Sequence, residues 1–332
     1  MRVPAVLRRA APALLCAAAL FGHALLVPGS ARAAWPEQPI RMIVPYAAGG
    51  STDVSARLLA EALSTHLPQR VIVENRTGAA SAVGAEAVAR AAPDGHTVLF
   101  SNVGHSVLRV LNPRLGFDPA RDLVPVTVVT EGPMVLLVSN DFPARTLAEF
   151  VREVRAHPGR YDYGTAGGGG SLQLAAFLLQ NAAGLRMNEV PYRGGAPATL
   201  DLAAGRIAML FDVGISGFQT AKGGQARALA VSGARRSPTM PDVPTLREGG
   251  VDAEMALWQA VFVPAGVPRE VQLRFQEAIA AALRDEAVAA RIRDLGTDRI
   301  VLNTPDAARA YVDAETARWE ALLRAAGVGG AN

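Results

Sequence analysis

One cysteine and one lysine in 332 residues are the chain's clearest scarcities, and each closes off a class of function. Cys16 has no partner for an internal disulfide and lies in an apolar run near the amino terminus. The lone lysine, Lys222, precedes Gly223-Gly224 at an expected helix end and reads as a solvated charge, so no G-x-x-x-x-G-K-[ST] phosphate loop exists. G-x-G-x-x-G is missing too, because Leu172 stands where its last glycine belongs in 167–172. Gly214-Ile215-Ser216-Gly217-Phe218 lacks the G-x-S-x-G spacing of a nucleophile elbow. His66, His96, His105 and His157 show neither H-x-x-x-H nor H-x-H spacing, which argues against a zinc site. No run beyond residue 33 approaches the roughly 18 apolar residues of a membrane span.

Acid is absent from the first 33 residues, which hold Arg2, Arg8, Arg9 and Arg32. Setting them aside leaves 29 basic against 30 acidic residues, a net of −1 in place of +3, and removes any case for nucleic acid or an acidic membrane surface. The apolar stretch Ala10–Val27 is interrupted by Pro12, Gly22 and His23 and is followed by Ala31-Arg32-Ala33. That arrangement predicts a signal peptide over 1–33, cleaved before Ala34, rather than a transmembrane anchor. The expected address is the bacterial periplasm. Cys16 leaves with the peptide, so the mature chain has no thiolate chemistry. With 50% hydrophobic residues, the chain can bury a sizeable core, which excludes a disordered, collagen-like or disulfide-scaffold protein.

Short apolar runs then alternate with amphipathic segments. Ile40–Val44 reads as a strand, followed by a helix that Ser51 or Thr52 can cap, a strand at Val71–Val73 and a helix ending near Ala92. Thr97–Phe100 is a third strand. Two strands in succession, 124–129 and 135–138, mark a crossing to a second lobe, where the rhythm restarts. There the spacing predicts a helix over 146–156, strand 161–163, helix Ser171–Ala183 stopped by Gly184, strand 206–212, helix 214–222 and strand 226–232. Val261–Val263 carries the chain back, and helices over 268–284 and 305–326 finish it. The expected fold is α/β and two-lobed, each lobe a mainly parallel sheet flanked by helices, joined by two crossing strands. Residues 34–133 and 257–332 form the first lobe, and 134–256 the second.

Two glycine loops share one design. Pro45–Asp53 and Gly164–Ser171 each end a strand and open a helix, about 120 residues apart and in different lobes. A helix start presents backbone N–H groups without intrahelical partners and about +0.5 of partial charge. Glycines let an anion approach that backbone closely, and strand ends of open α/β sheets are where ligands sit. A small carboxylate suits such loops better than a nucleotide. Asp53 reads either as half of an acid–base pair with Asp212 or as a first-turn acid favouring the helix dipole. Asp212, beside Gly214, can instead accept a hydrogen bond from ligand or bound water. His105, after Asn102-Val103-Gly104, reads as a cleft residue or as a plain loop histidine.

The succession of motifs resembles the Bug (Bordetella uptake gene) family, extracytoplasmic solute receptors of tripartite tricarboxylate transporters. It rests on Trp35-Pro36, Ile43-Val44-Pro45-Tyr46-Ala47-Ala48-Gly49-Gly50-Ser51-Thr52-Asp53 and Val73–Ala79, continuing with Pro93-Asp94-Gly95-His96-Thr97, Val190–Gly194, Arg227–Val231 and Pro241–Thr245. The resemblance implies a type II periplasmic-binding-protein-like fold that closes on a small organic acid and delivers it to transporter membrane subunits. It also implies a monomer with no cofactor, no metal and no catalytic role. By position it points to Tyr46, Ala47, Gly49, Gly50 and Asp53 in the first lobe, with Ser101 and Asn102 at a neighbouring strand end. In the second lobe it points to Gly169, Gly170, Ser171 and Asp212. Gln173 stands where the family usually has histidine, and Ile207-Ala208 where it has Val-Asp; Gln173 is expected to alter one side of the pocket. A ligand-presenting co-sensor and a periplasmic enzyme acting on an organic acid are the alternatives.

Overall fold

The computed structural model describes residues 35–167 and 169–328; the expected signal peptide over 1–33 and its expected cleavage site lie outside them. β1 (Ile40–Val44) buries Ile40, Met42, Ile43 and Val44 completely and exposes only Arg41. It pairs in parallel with β2 (Val71–Asn75) and β3 (Thr97–Asn102), with α1 (Ser51–His66) and α2 (Ala82–Ala89) as crossovers. A 3₁₀ turn (Val103–Val107), α3 (Leu108–Leu111) and α4 (Pro119–Asp122) lead to the long β4 (Leu123–Gly132).

At Gly132-Pro133-Met134 the chain leaves this sheet and enters the second as β5 (Met134–Val138). The second sheet adds β6 (Asp162–Thr165), β7 (Asn188–Pro191), β8 (Met209–Val213) and β9 (Arg227–Val231), in the order β7-β6-β8-β5-β9. Its helices are α5 (Leu147–Ala156), α6 (Ser171–Ala183), α7 (Gly195–Ala203) and α8 (Gly214–Lys222). The chain returns as β10 (Leu257–Pro264), buried at every position, and ends with α9 (Arg269–Arg284), α10 (Glu286–Asp294), β11 (Arg299–Ile300) and α11 (Pro305–Ala325). The first sheet is thereby ordered β11-β4-β10-β3-β1-β2.

Both sheets are mixed rather than mainly parallel. β10 runs antiparallel to β3 and β4, and β5 runs antiparallel to β8 and β9. A strand that arrives from the other sheet, without a helical crossover, is free to enter in the opposite direction. Two elements hidden in the sequence are β7 and α7, whose Pro191 and Gly194-Gly195-Ala196-Pro197 look like turn signals. Pro197 is tolerated because it falls in the first helical turn, where its missing N–H has no partner to lose. The short α10 was not anticipated either.

The two crossings are tied together by Ser232. Its hydroxyl accepts from Met134 N–H (2.9 Å) and donates to the Met255 carbonyl (2.7 Å), while its backbone bonds to the same two residues, each at 2.8 Å. Ser232 is fully buried. Nearby, a β-carbon on Gly132 would lie 2.6 Å from the Gly296 carbonyl oxygen, and one on Gly214 would lie 2.6 Å from Gly296 Cα. Three backbones from different parts of the chain meet there, and only glycine fits at Gly132 and Gly214.

Candidate functional site

The two loops are conformational twins. In the first, Gly49 is left-handed (φ +80) and Gly50 is the N-cap of α1, at φ −74 and ψ 163. In the second, Gly169 has φ +74 and Gly170 caps α6 at φ −69 and ψ 169. Gly50 N–H donates to Ala47 C=O and Gly170 N–H to Gly167 C=O, both at 3.3 Å. Neither helix has a side-chain cap, which leaves first-turn amides for a ligand. The expected Ser51 or Thr52 cap is therefore corrected: Ser51 is the first helical residue, and the Thr52 hydroxyl accepts from Asn102 Nδ2 at 2.8 Å.

The third helical residue braces each loop. Asp53 Oδ2 accepts from Gly49 N–H (2.9 Å) and Arg57 Nε (3.0 Å), and Oδ1 accepts from Asn75 Nδ2 (2.8 Å). Burial alone would raise its pKa; the bonds from Arg57, Gly49 and Asn75 outweigh burial and hold the carboxyl below its ordinary range. In the second loop Gln173 Oε1 accepts from Gly169 N–H at 2.7 Å. Both Asp53 and Gln173 thus direct their polar atoms at the protein. Gln173 acts on its own loop.

Tyr46 donates its hydroxyl to Asn102 Oδ1 (2.7 Å), with Ser101 Oγ 3.3 Å away. Burial raises the phenol pKa, with bonds involving Ser101, Ser81 and Asn102 pulling the other way, so Tyr46 stays a neutral donor. Asn102 Oδ1 also accepts from Gly104 N–H (2.9 Å), so this amide joins the first loop, α1 and the 3₁₀ turn. At Gly104 the lobes meet. A β-carbon there would lie 3.0 Å from Tyr46 Oη, 3.2 Å from Asn102 Oδ1 and 3.3 Å from the Gly169 carbonyl oxygen. On the same side, Ala79, Ala80 and Ser81 are all left-handed, with φ of 44, 53 and 71. Ala80 faces Gly169. Three consecutive non-glycine residues in this region store strain beside the site.

Asp212 is the penultimate residue of β8 and is 3% exposed. Oδ1 accepts from Val213 N–H at 2.8 Å, whereas the Thr199 hydroxyl reaches Oδ2 only at 3.4 Å. Burial pushes its carboxyl up from the usual range, and bonds from Ser216, Val213 and Thr199 offset this only in part. Gly195, at the start of α7, lies against Asp212 Oδ1 and Leu172. The starts of α7 and α8 thus meet at one under-bonded carboxylate. Asp53 and Asp212 share no hydrogen-bond partner among the described residues.

Of the remaining candidates, Ala47, Gly49 and Gly50 are exposed on the first loop, while Ser101, Gly169 and Ser171 are buried and Gly170 is half-buried. His105 is not a cleft residue. It stacks on Phe262 (ring centroids 4.3 Å apart) and lines a cavity of about 100 Å³ with Arg309. Burial, with Arg309 adding to it, lowers its pKa to about 3 and keeps the ring neutral. Among the described residues, no group of three or more His, Cys, Asp or Glu is placed to hold a metal, and no helix is long and apolar enough to cross a membrane. Gly104, Thr199, Gly195 and the 79–81 turn were not anticipated as parts of the site. Gly194-Gly195 ahead of Thr199 was the signal available for α7.

The family model described as the tripartite tricarboxylate transporter family receptor matches residues 55–328. Protein BugT of Bordetella pertussis is 34% identical over 300 residues, 88% of this chain and 90% of BugT. A solved structure of R. palustris Rpa4515 with adipate superposes with a TM-score of 0.82 at 32% identity, covering 89% of this chain and 99% of that one. MatC of Rhodopseudomonas palustris, solved with bound malate, gives a TM-score of 0.80 at 31% identity, covering 87% and 100%. A family of two-lobed binding proteins leaves no place for the enzyme alternative. The chain belongs to the Bug family of tripartite tricarboxylate transporter receptors, the family its motifs resemble.

Proposed function

We propose that this chain, exported by its first 33 residues to the periplasm, captures a small carboxylate between its two lobes and presents it to the membrane subunits of a tripartite transporter. The first lobe comprises 34–133 and 257–332, the second 134–256, and the protein acts as a monomer. One observation carries this: two uncapped, glycine-headed helix starts, one on each sheet, are brought together where Gly169 meets Gly104 and Tyr46. The relatives solved with adipate and malate support a dicarboxylate-sized acid.

Micromolar binding needs about −8.2 kcal/mol. Each helix start supplies up to ~2 kcal/mol in a partly buried site, and charge-assisted hydrogen bonds provide the remainder. Ligand touching both lobes stabilises the closed form by its differential affinity. Native mass spectrometry of the periplasmic protein, followed by thermal shift with malate, adipate and other di- and tricarboxylates, tests this reading. A copurified acid that is bound unchanged supports it; conversion of that acid, or indifference to every carboxylate, rejects it.

A further inference from the structure

Glu189, on the edge strand β7, accepts from Gln173 Nε2 through both oxygens (2.8 and 2.9 Å) and from Thr165 Oγ1 (2.7 Å). Each partner passes the constraint on: Gln173 Oε1 accepts from Gly169 N–H (2.7 Å), and Thr165 Oγ1 accepts from Gly167 N–H (3.1 Å). The result is a two-armed bracket with Glu189 at its base and the amides of Gly167 and Gly169 at its tips. The first loop has the same device with the chemistry exchanged. There the carboxylate, Asp53, sits on the helix and the amide, Asn75, on the neighbouring strand.

The exchange has an electrostatic consequence. α1 carries an acid in its first turn and α6 carries none. A neutral amide at the third position of α6 braces the loop without cancelling the partial positive charge of the helix start. The negative charge needed to fix that amide is set back one strand, on Glu189.

We propose that Gln173 and Glu189 are positioning residues that hold the second glycine loop in its ligand-receiving shape, Glu189 acting through Gln173 and Thr165. This deepens the receptor reading and rests on it for its purpose, but the bracket itself is testable without ligand. Amide hydrogen exchange across 166–172 is measured in the ligand-free full-length mature protein. Gln173→Ala should speed exchange at Gly169 by about tenfold, the size expected for one lost hydrogen bond. Gln173→Glu places two carboxylates face to face. It should loosen the loop at neutral pH and tighten it again in acid, where one of the two takes up a proton. The double exchange Gln173→Glu/Glu189→Gln satisfies every bond of the bracket and should restore protection at pH 7. Wild-type exchange in both single variants overturns the proposal, as does a double variant as unprotected as Gln173→Glu. Failure to bind any organic acid would reject the receptor reading while leaving the exchange pattern to decide the bracket.

Discussion

The side chain of Leu111 occupies the space that a β-carbon on Gly169 would need. Leu111 belongs to the first sheet's helices and Gly169 to the second sheet's loop, so this contact exists only while the lobes are together. Gly169 is also left-handed, which costs a non-glycine residue roughly 1–2 kcal/mol. Gly169→Ala should therefore shift the protein towards its open form and weaken carboxylate binding by about tenfold or more. Small-angle scattering of the liganded protein, set beside calorimetric titration, checks both effects; unchanged scattering and affinity would contradict the contact's role in closure.

Asp53 and Asp212 respond to pH with opposite signs. Asp53 has a depressed folded pKa, so its contribution to stability is present above the ordinary value of 3.8 and is lost as pH falls through the folded value. Asp212 has a raised folded pKa, so its ionisation costs stability increasingly as pH rises from 3.8 through the folded value. Asp212→Asn should raise the apo melting temperature at pH 7, with the gain vanishing below pH 3.8, and should weaken ligand binding. A melting temperature that drops at pH 7 would make Asp212 a structural residue.

Ser232→Ala removes the side-chain partner of Met134 N–H and of the Met255 carbonyl at a fully buried position. Leaving buried groups unsatisfied should cost about 2–4 kcal/mol. Chemical denaturation monitored by tryptophan fluorescence measures this directly, and Ser232→Thr is the variant in which the hydroxyl survives. A loss below about 0.5 kcal/mol, the level of an ordinary surface substitution, would show that the two crossings are held by backbone bonds alone.

Ala80 adopts φ +53 between two other left-handed residues. Ala80→Gly, ordinarily a destabilising change, should here stabilise by about 1 kcal/mol, because glycine occupies that region without strain. The readout is the apo melting temperature, and a decrease would mean that the turn is not strained in solution.

Much of the fold was legible because the signals were local. Gly184 stops α6 where the sequence places the stop, at φ +62. The glycine loops were legible as loops, since Gly49-Gly50 and Gly169-Gly170 follow strands and precede apolar periodicity. What stayed hidden depends on distant partners. The strand direction of β10 is set by where the chain re-enters the sheet. Asn102 presents itself as a polar strand end, yet its amide is spent on Tyr46, Thr52 and Gly104. Gln173 and Glu189 are separated by an entire helix, and nothing in their spacing announces a pair. The 79–81 turn contains no glycine to betray its left-handed backbone.

Because Ser232 fastens Met134 to Met255, the intervening chain begins and ends at a single point of the molecule. A segment with adjoining ends behaves as a cassette: it can be excised and replaced without stretching its host. Chimaeras that keep the outer segments of this protein and graft in the 134–255 stretch of a relative would transplant one half of the binding surface intact. They would sort the determinants of acid preference by half, and a fluorophore pair placed across the junction would turn the hybrid into a sensor of whichever acid it accepts.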